Sequence, residues 1–329
     1  MKYLRLSVAI AVFTFNACKQ DDTEPPVIEN PINAIIAYSV EPQETDTSIS
    51  SGLNTQFAFI TENPSLRKDK LLIFLPGTLA QPGSYLKILQ TASENGYYSI
   101  GIDYKNNQSI ANFCGNTNDQ DCDYNVLTEF FEGVDVSPNV IVPYSNSFTN
   151  RIIKMIQFLD NQVPSENWSR FLIDLNTIDW SKISLAGHSQ GSAHTMYISK
   201  RVSLFRASFY SGPNGFELID GNFPSWISQV GATDISKIFA FSNNNDNLYP
   251  WNYALDVWDE IGILGSEIDV DVSSDFSGSN QFTTSVIPPD TNGSFSPTHG
   301  STTVDIVTPV KSDGRPLFED VWKIMSFPD

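Results

Sequence analysis

The sequence predicts an α/β fold in which a mostly parallel central sheet is flanked by helices. Short apolar runs, typical of strands buried on both faces, alternate along the chain with segments of helical spacing. Such alternation predicts right-handed strand–helix–strand crossovers, and these place the strands parallel to one another. The chain has 329 residues, and no internal repeat or second linker divides it. We therefore expect a single domain over residues 33–329.

The predicted strands are short runs of apolar and β-branched residues that end at polar or turn-forming positions. Leu71–Leu75 is the clearest of them, because it is continuously apolar and ends at Pro76-Gly77. The other predicted strands, in chain order, are 35–40, 56–60, 98–102, 183–186, 207–210, 238–241 and 267–272.

The predicted helices carry apolar residues at intervals of three and four. Residues 85–95 have this spacing and stop at Gly96, and the pattern returns in 151–159, 192–200 and 253–261. Residues 105–150 lack a clear period and are rich in Asn, Asp and Phe. Their length predicts an irregular insertion over an edge of the sheet.

The charge balance excludes one large class of partners. Nineteen basic residues stand against 38 acidic ones, for a formal charge of -19. Such a surface repels phosphate backbones, and no cluster of Lys and Arg offsets it, so nucleic-acid binding is not expected. The 40% share of hydrophobic residues also excludes a disordered chain.

The N-terminus predicts export. Residues 1–18 have a basic start, a short apolar stretch and a small residue before Cys18, the pattern of a signal peptide. The end of this segment resembles the lipobox of bacterial lipoproteins, whose Cys carries lipid, and ordinary signal cleavage is the alternative. Residues 19–32 are acidic and contain proline, as a tether would. We expect anchoring at a bacterial outer membrane or cell surface, or else a periplasmic or secreted protein. A Cys18→Ser variant would then leave the membrane fraction.

The two remaining cysteines, Cys114 and Cys122, are eight positions apart in a polar loop. In an oxidising compartment they are predicted to form a disulfide. A metal site is the alternative, but neither His nor a further Cys lies nearby in the sequence. No metal site is therefore predicted.

The motif Gly187–Gly191 (GHSQG) directly follows a predicted strand and directly precedes a predicted helix. In that context G-x-S-x-G predicts a tight, strained turn that presents a serine hydroxyl above the sheet. The turn requires small residues two positions before and two positions after the serine, and glycine fills both. Ser189 is therefore the candidate nucleophile. The alternative is a glycine-rich connection with an idle serine.

A serine hydroxyl needs a base, normally a histidine held by a carboxylate. The chain has three histidines. His188 is adjacent to Ser189 and cannot fold back to serve it, and His194 lies within the following helix. His299, in a Pro- and Gly-bounded loop past the last predicted strands, is therefore the predicted base.

The predicted acid is Asp246, in the polar loop that follows the strand 238–241. It lies between nucleophile and base in the chain, which is the order Ser, Asp, His. Its carboxylate would accept the Nδ1–H of the imidazole and stabilise the imidazolium. Asp220 is the reserve candidate, and Asp103 is disfavoured because it precedes the nucleophile.

Negative charge that develops on a substrate carbonyl needs donors placed in advance. The backbone N–H of Gln190, the residue after the nucleophile, is one predicted donor. The loop after the Leu71–Leu75 strand supplies the other, from Thr78 N–H, with Gly77 N–H as the fallback.

Together these segments resemble the α/β-hydrolase superfamily from about residue 33 onward. The resemblance is carried by the LPGT loop, the GHSQG motif, the acid loop and the late His-Gly pair, at Leu75–Thr78, Gly187–Gly191, Asp246 and His299-Gly300. It implies an α/β-hydrolase fold that needs no metal or organic cofactor. The chain differs from the branch with His-Gly-Gly-Gly at the oxyanion loop, because Pro76 replaces that His, and no dedicated lid helix is recognisable.

The resemblance and the residues together predict a serine hydrolase that cleaves a small-molecule or polymer-linked carboxylic ester through an acyl-serine intermediate. Tyr249 and Trp251 are predicted to wall the substrate pocket. A serine peptidase with the same triad, and a binding lipoprotein on an inactive scaffold, are the alternatives. Organophosphate labelling separates enzyme from binding protein, and comparison of an ester with a peptide amide separates esterase from peptidase.

Overall fold

A computed structural model describes residues 33–115, 117–214, 216–289 and 296–329. The signal segment, Cys18 and the tether 19–32 lie outside the described residues, so export and lipidation stay predictions. Within the described part of the chain, no helix is both long and apolar enough to cross a bilayer.

The centre of the molecule is a sheet built from nine of the strands in the described residues, in the order β1-β2-β4-β3-β7-β8-β9-β11-β10. Strand β2 is antiparallel to both of its neighbours, and every other pairing in this sheet is parallel. Strands β5 and β6 form a separate hairpin. The predicted α/β class with a mostly parallel sheet is therefore confirmed. The strands are β1 Ile35–Val40, β2 Gln56–Thr61, β3 Leu71–Leu75, β4 Tyr98–Gly101, β5 Leu172–Asp174, β6 Thr177–Ile178, β7 Ile183–His188, β8 Arg206–Tyr210, β9 Ile238–Asn243, β10 Ile268–Asp269 and β11 Gln281–Thr284.

The sheet separates two hydrophobic cores, and side chains of β3 alternate between them. Leu71, Ile73 and Leu75 pack into one core, and Leu72 and Phe74 pack into the other. Helices α4, α5 and α6 cover the first face, and α2 and α9 cover the second. Burial on both faces explains why this strand is continuously apolar. The helices are α1 Pro42–Thr45, α2 Leu86–Glu94, α3 Ile110–Cys114, α4 Cys122–Glu132, α5 Phe148–Gln162, α6 Gln190–Arg201, α7 Trp251–Ile261, α8 Pro297–Gly300 and α9 Glu319–Ser326.

Several elements differ from those predicted. The strand predicted at 267–272 is only the two-residue β10, and β11 and α9 were not predicted. Strand β11 has the sequence QFTT, in which Phe282 is the one large apolar residue, yet all four side chains are buried. Its burial comes from pairing between β9 and β10, which a local apolar pattern does not report.

The segment 105–150 is not irregular throughout, because it contains α3 and α4. Helix α4 buries Val126, Leu127, Phe130 and Phe131 on its inner side. These residues do have helical spacing, but the polar residues around them hide it. The segment therefore packs as part of the first core rather than as a loose cover over a sheet edge.

The predicted disulfide is confirmed, since Cys114 and Cys122 are joined at 2.04 Å. It connects the end of α3 to the first residue of α4, and both cysteines are buried. Asp123 brings a carboxylate oxygen within 4.8 Å of both sulfurs. Because each sulfur is bonded to the other, neither is a thiolate ligand, and the cluster is not a thiolate metal site.

Candidate active site

Ser189 lies at the turn between β7, which ends at His188, and α6, which begins at Gln190. Its backbone is strained, with φ 53° and ψ −117°, a conformation that a residue with a side chain adopts at energetic cost. Its N–H donates to the carbonyl oxygen of Tyr210 at 2.8 Å. Ser189 is half-buried, whereas His188 before it and Gln190 after it are buried.

Both glycines of the motif are required by close approaches of the backbone. A Cβ at Gly187 would lie 2.2 Å from the carbonyl carbon of Gly191, and a Cβ at Gly191 would lie 2.0 Å from the carbonyl oxygen of Leu75. Any side chain at either position would therefore move the turn or the strand beside it. The sequence motif thus encodes the strained turn directly, as predicted.

His299 and Asp246 meet although 53 residues separate them. Nδ1 of His299 lies 2.6 Å from Oδ2 of Asp246, and both side chains are buried. The other carboxylate oxygen, Oδ1, accepts from the backbone N–H of Leu248 at 2.8 Å and of Tyr249 at 3.0 Å. The carboxylate is therefore held on both oxygens, and it fixes the orientation of the imidazole through Nδ1.

The backbone of His299 is bound to residues at the carboxyl ends of β7 and β8. Its carbonyl oxygen accepts from Oγ of Ser211 at 2.7 Å and is 3.0 Å from Nε2 of His188. The ring centroids of His188 and His299 are 4.8 Å apart. Since His188 is adjacent to Ser189 in the chain, these contacts bring the Asp246–His299 pair to the carboxyl end of β7, where the serine turn lies.

His188 joins three parts of the site by hydrogen bonds. A carbonyl oxygen only accepts, so Nε2 of His188 donates to His299 and Nδ1 accepts from the hydroxyl of Tyr85 at 3.0 Å. That hydroxyl in turn accepts from the N–H of Gly77 at 3.1 Å. Burial, together with the neighbouring His299, lowers the pKa of His188 to about 3. A neutral imidazole with one donor and one acceptor therefore connects the Gly77 loop to the base.

The predicted oxyanion loop lies against the serine turn. A Cβ at Gly77 would be 3.2 Å from Cβ of Ser189, and Oγ1 of Thr78 donates to Oε1 of Gln190 at 2.6 Å. Within the described chain, the backbone N–H groups of Thr78 and Gln190 have no protein acceptor. For Gln190 this is expected, because it is the first residue of helix α6. Both groups remain available to a ligand. The N–H of Gly77, the fallback donor, is bound to the hydroxyl of Tyr85.

Asn214 contacts the nucleophile and was missed by the sequence analysis. Its Nδ2 lies 3.4 Å from Oγ of Ser189. It follows β8, next to a cis peptide bond between Gly212 and Pro213. The available signal was positional: Asn214 is a polar residue in the loop after a predicted parallel strand, and such loops lie at the same edge of the sheet as the serine turn.

The alternative acids and the third histidine lie elsewhere. Oδ2 of Asp103 accepts from the backbone N–H and the side-chain amide of Asn54, and burial raises the pKa of Asp103. Asp220 is exposed and caps a turn at Asn222. His194 is buried between aromatic rings. None of these groups has a contact with His299 in the part of the chain that the structure describes.

Tyr249 and Trp251 were predicted to wall the pocket, and the structure places both in core packing. Tyr249 is 1% exposed and packs on Tyr253, with ring centroids 5.6 Å apart. Trp251 is half-buried and packs edge-to-face on Trp258 at 5.4 Å. The physical reason is that α7 packs on the first core, which also contains Tyr249 two positions before the helix, while Pro250 between them is exposed.

Comparisons with known proteins found no family model that matches this chain and no curated protein with significant similarity to it. The geometry of the site is therefore the basis on which a function can be proposed.

Proposed function

We propose that this protein is a serine hydrolase of the α/β-hydrolase fold that cleaves a carboxylic ester through an acyl-serine intermediate. The observation that carries the proposal is the Asp246–His299 pair, bonded at 2.6 Å and held through His188 beside the strained turn of Ser189. A structural ion pair needs no strained serine next to it, and a glycine-rich turn needs no buried histidine–carboxylate pair. Their coincidence supports catalysis.

The arrangement suits a two-step acyl transfer. Oγ of Ser189 attacks the ester carbonyl while Nε2 of His299 takes its proton, and Asp246 stabilises the imidazolium. The N–H groups of Thr78 and Gln190 stabilise the oxyanion of the tetrahedral intermediate. His299 then gives the proton to the leaving alcohol, the acyl-serine forms, and water, deprotonated by the same histidine, releases the acid.

The assignment to the α/β-hydrolase fold rests on topology and chain order. The serine follows a central parallel strand and begins a helix, the acid follows a later strand, and the histidine comes last. The order Ser, Asp, His, with an oxyanion donor from the loop after an earlier strand, is that of α/β-hydrolases. The confirmed Cys114–Cys122 disulfide is consistent with export into an oxidising compartment.

The test is hydrolysis of 4-nitrophenyl acetate together with labelling by a fluorophosphonate probe. Wild type should hydrolyse the ester and take up one probe at residue 189. Ser189→Ala should lose both, with kcat/KM lower by about 10³-fold or more. Ser181→Ala is the matched control, because Ser181 is exposed near the opposite end of β7, and it should behave as wild type.

Two results would contradict the proposal. Full activity in Ser189→Ala would reject the nucleophile. Faster cleavage of a 4-nitroanilide peptide than of any ester would reject ester hydrolysis in favour of peptide hydrolysis.

A further inference from the structure

The loop next to the nucleophile contains a strained leucine. The N–H of Ala80 donates to the carbonyl oxygen of Gly77 at 3.1 Å and closes a four-residue turn. Leu79, the third residue of that turn, has φ 61°. Turns with a positive φ at this position favour glycine or asparagine, and a bulky aliphatic residue there is an outlier.

Asn106 holds this turn in its strained form. Its carbonyl oxygen accepts from the N–H of Leu79 at 3.0 Å. Its side-chain amide donates to the carbonyl oxygens of Gly77 at 2.8 Å and of Ala80 at 2.6 Å. Asn106 is itself buried. The surrounding structure therefore imposes the conformation on the turn, and glycine at position 79 would satisfy it without strain.

The leucine side chain contributes little to the core. Leu79 is 76% exposed, so its aliphatic group buries little area and stabilises the fold little. A strained and exposed leucine is unfavourable for the backbone and close to neutral for packing. Leucine at this position therefore points to a functional rather than a structural role.

Strain of this kind is concentrated around the site. Five non-glycine residues in the described chain have positive φ. Asn167 is one of them, and asparagine tolerates this region. The others are Leu79, the nucleophile Ser189, Ser211, which binds the carbonyl of His299, and Ser296, which is three positions before His299. Strained residues that cluster in this way mark functional sites.

Leu79 directly follows the proposed oxyanion donor Thr78, whose hydroxyl reaches Gln190 at 2.6 Å. On the acid loop, Leu248 follows Asp246 by two positions and is 45% exposed. The loops that carry the oxyanion donor and the acid therefore each present an aliphatic side chain to solvent.

We propose that Leu79 is a specificity-determining residue that contacts an aliphatic chain of the substrate, and that the preferred substrates are esters with such a chain rather than acetate-sized esters. This inference rests on the proposed function. Binding of the chain would bury the exposed leucine, and the strained turn would hold it next to Thr78 without rearrangement.

The test compares Leu79→Gly and Leu79→Asn with wild type on 4-nitrophenyl acetate and 4-nitrophenyl octanoate. Both variants accept positive φ, so neither should lower Tm. Each should reduce kcat/KM for octanoate by roughly 10-fold, the scale of burying one leucine side chain, and change kcat/KM for acetate by less than about 2-fold. Leu175→Asn is the control: Leu175 is 74% exposed in the β5–β6 hairpin, which precedes the amino end of β7. It should leave the chain-length preference unchanged.

A parallel series of ethyl, butyl and octyl acetates, followed by acid release, locates the chain. If the Leu79 variants lose kcat/KM only on the 4-nitrophenyl esters, the aliphatic chain that Leu79 contacts lies on the acyl side of the ester. If they lose kcat/KM only on the alkyl acetates, that chain lies on the alcohol side. Either result supports the proposal. If wild type cleaves esters and both variants keep its full preference, or lose acetate and octanoate equally, the inference is overturned and the serine hydrolase stands. If wild type cleaves no ester, both are overturned.

Discussion

Two buried histidines near the same serine turn have very different surroundings. His299 and His194 are each 1% exposed. The Nδ1 of His299 is 2.6 Å from a buried carboxylate oxygen. His194 is packed against the rings of Tyr104, Phe130 and Phe148, with centroids 4.9 to 5.1 Å away, and its Nε2 has no partner in the described part of the chain.

The difference shows that burial alone does not make a catalytic base. With no carboxylate nearby, burial lowers the pKa of His194 to about 3, because the interior does not solvate the imidazolium. Beside Asp246, an imidazolium would have a charged acceptor for its Nδ1–H. The buried carboxylate of Asp246 therefore distinguishes the surroundings of His299 from those of His194, where only aromatic rings face the imidazole.

The largest expected effect separates the two histidines directly. His299→Ala should lower kcat/KM for 4-nitrophenyl acetate by about 10³-fold or more, because the serine loses its base. His194→Leu, which fills a similar volume among aromatic rings, should stay within about 10-fold of wild type. Circular dichroism checks that both variants fold. A severe loss in His194→Leu with a mild one in His299→Ala would reverse the assignment of the base.

The next effect tests the carboxylate that distinguishes the two sites. Asp246→Asn should lower kcat by about 10² to 10⁴-fold, since an amide neither stabilises the imidazolium nor enforces the same tautomer. The loss should be in kcat rather than KM, because the carboxylate acts on the transition state. Asp220→Asn is the control, since Asp220 is exposed and binds only its own turn. Equal kcat in wild type and Asp246→Asn would exclude Asp246 as the acid.

The smallest effect is on stability and concerns His194. Its pKa of about 3 in the folded protein lies below the value of about 6.5 expected in the unfolded chain. As pH falls below about 6.5, the unfolded chain binds a proton that the folded protein does not, so the free energy of unfolding decreases. From pH 7 to pH 5 this contribution is roughly 2 kcal/mol.

His194→Leu should remove that part of the pH dependence. The free energy of unfolding is measured in urea at pH 7 and pH 5 for both proteins. Relative to wild type, the free energy of unfolding of the variant should rise by roughly 2 kcal/mol from pH 7 to pH 5. His188, whose pKa is also lowered to about 3, remains in both proteins and cancels in the comparison. A difference between variant and wild type that is the same at both pH values would show that His194 is not responsible.

Much of the sheet could be predicted from the sequence because its strands are buried on both faces. Leu71–Leu75 and the strand before the GHSQG motif are apolar enough to be recognised without tertiary contacts. Strand β11 was not predicted because its burial comes from strands distant in sequence. Helix α9 was not predicted either, although Val321, Trp322 and Met325 have helical spacing over its eight residues. Helix α4 was not predicted because polar residues interrupt its apolar positions.

The amino-acid sequence by itself determined the strained serine turn and limited the candidate bases to three histidines. Gly187 is required by a backbone contact within one strand–turn–helix unit, which is local, whereas Gly191 is required by the carbonyl group of Leu75 on the neighbouring strand β3. With three histidines in the chain, elimination left His299. Only the folded arrangement decided that Asp246 rather than Asp103 or Asp220 lies at that imidazole, that Asn214 contacts the serine, and that Tyr249 packs inward. These are contacts between loops of different strands, and their distances depend on how the whole sheet is assembled.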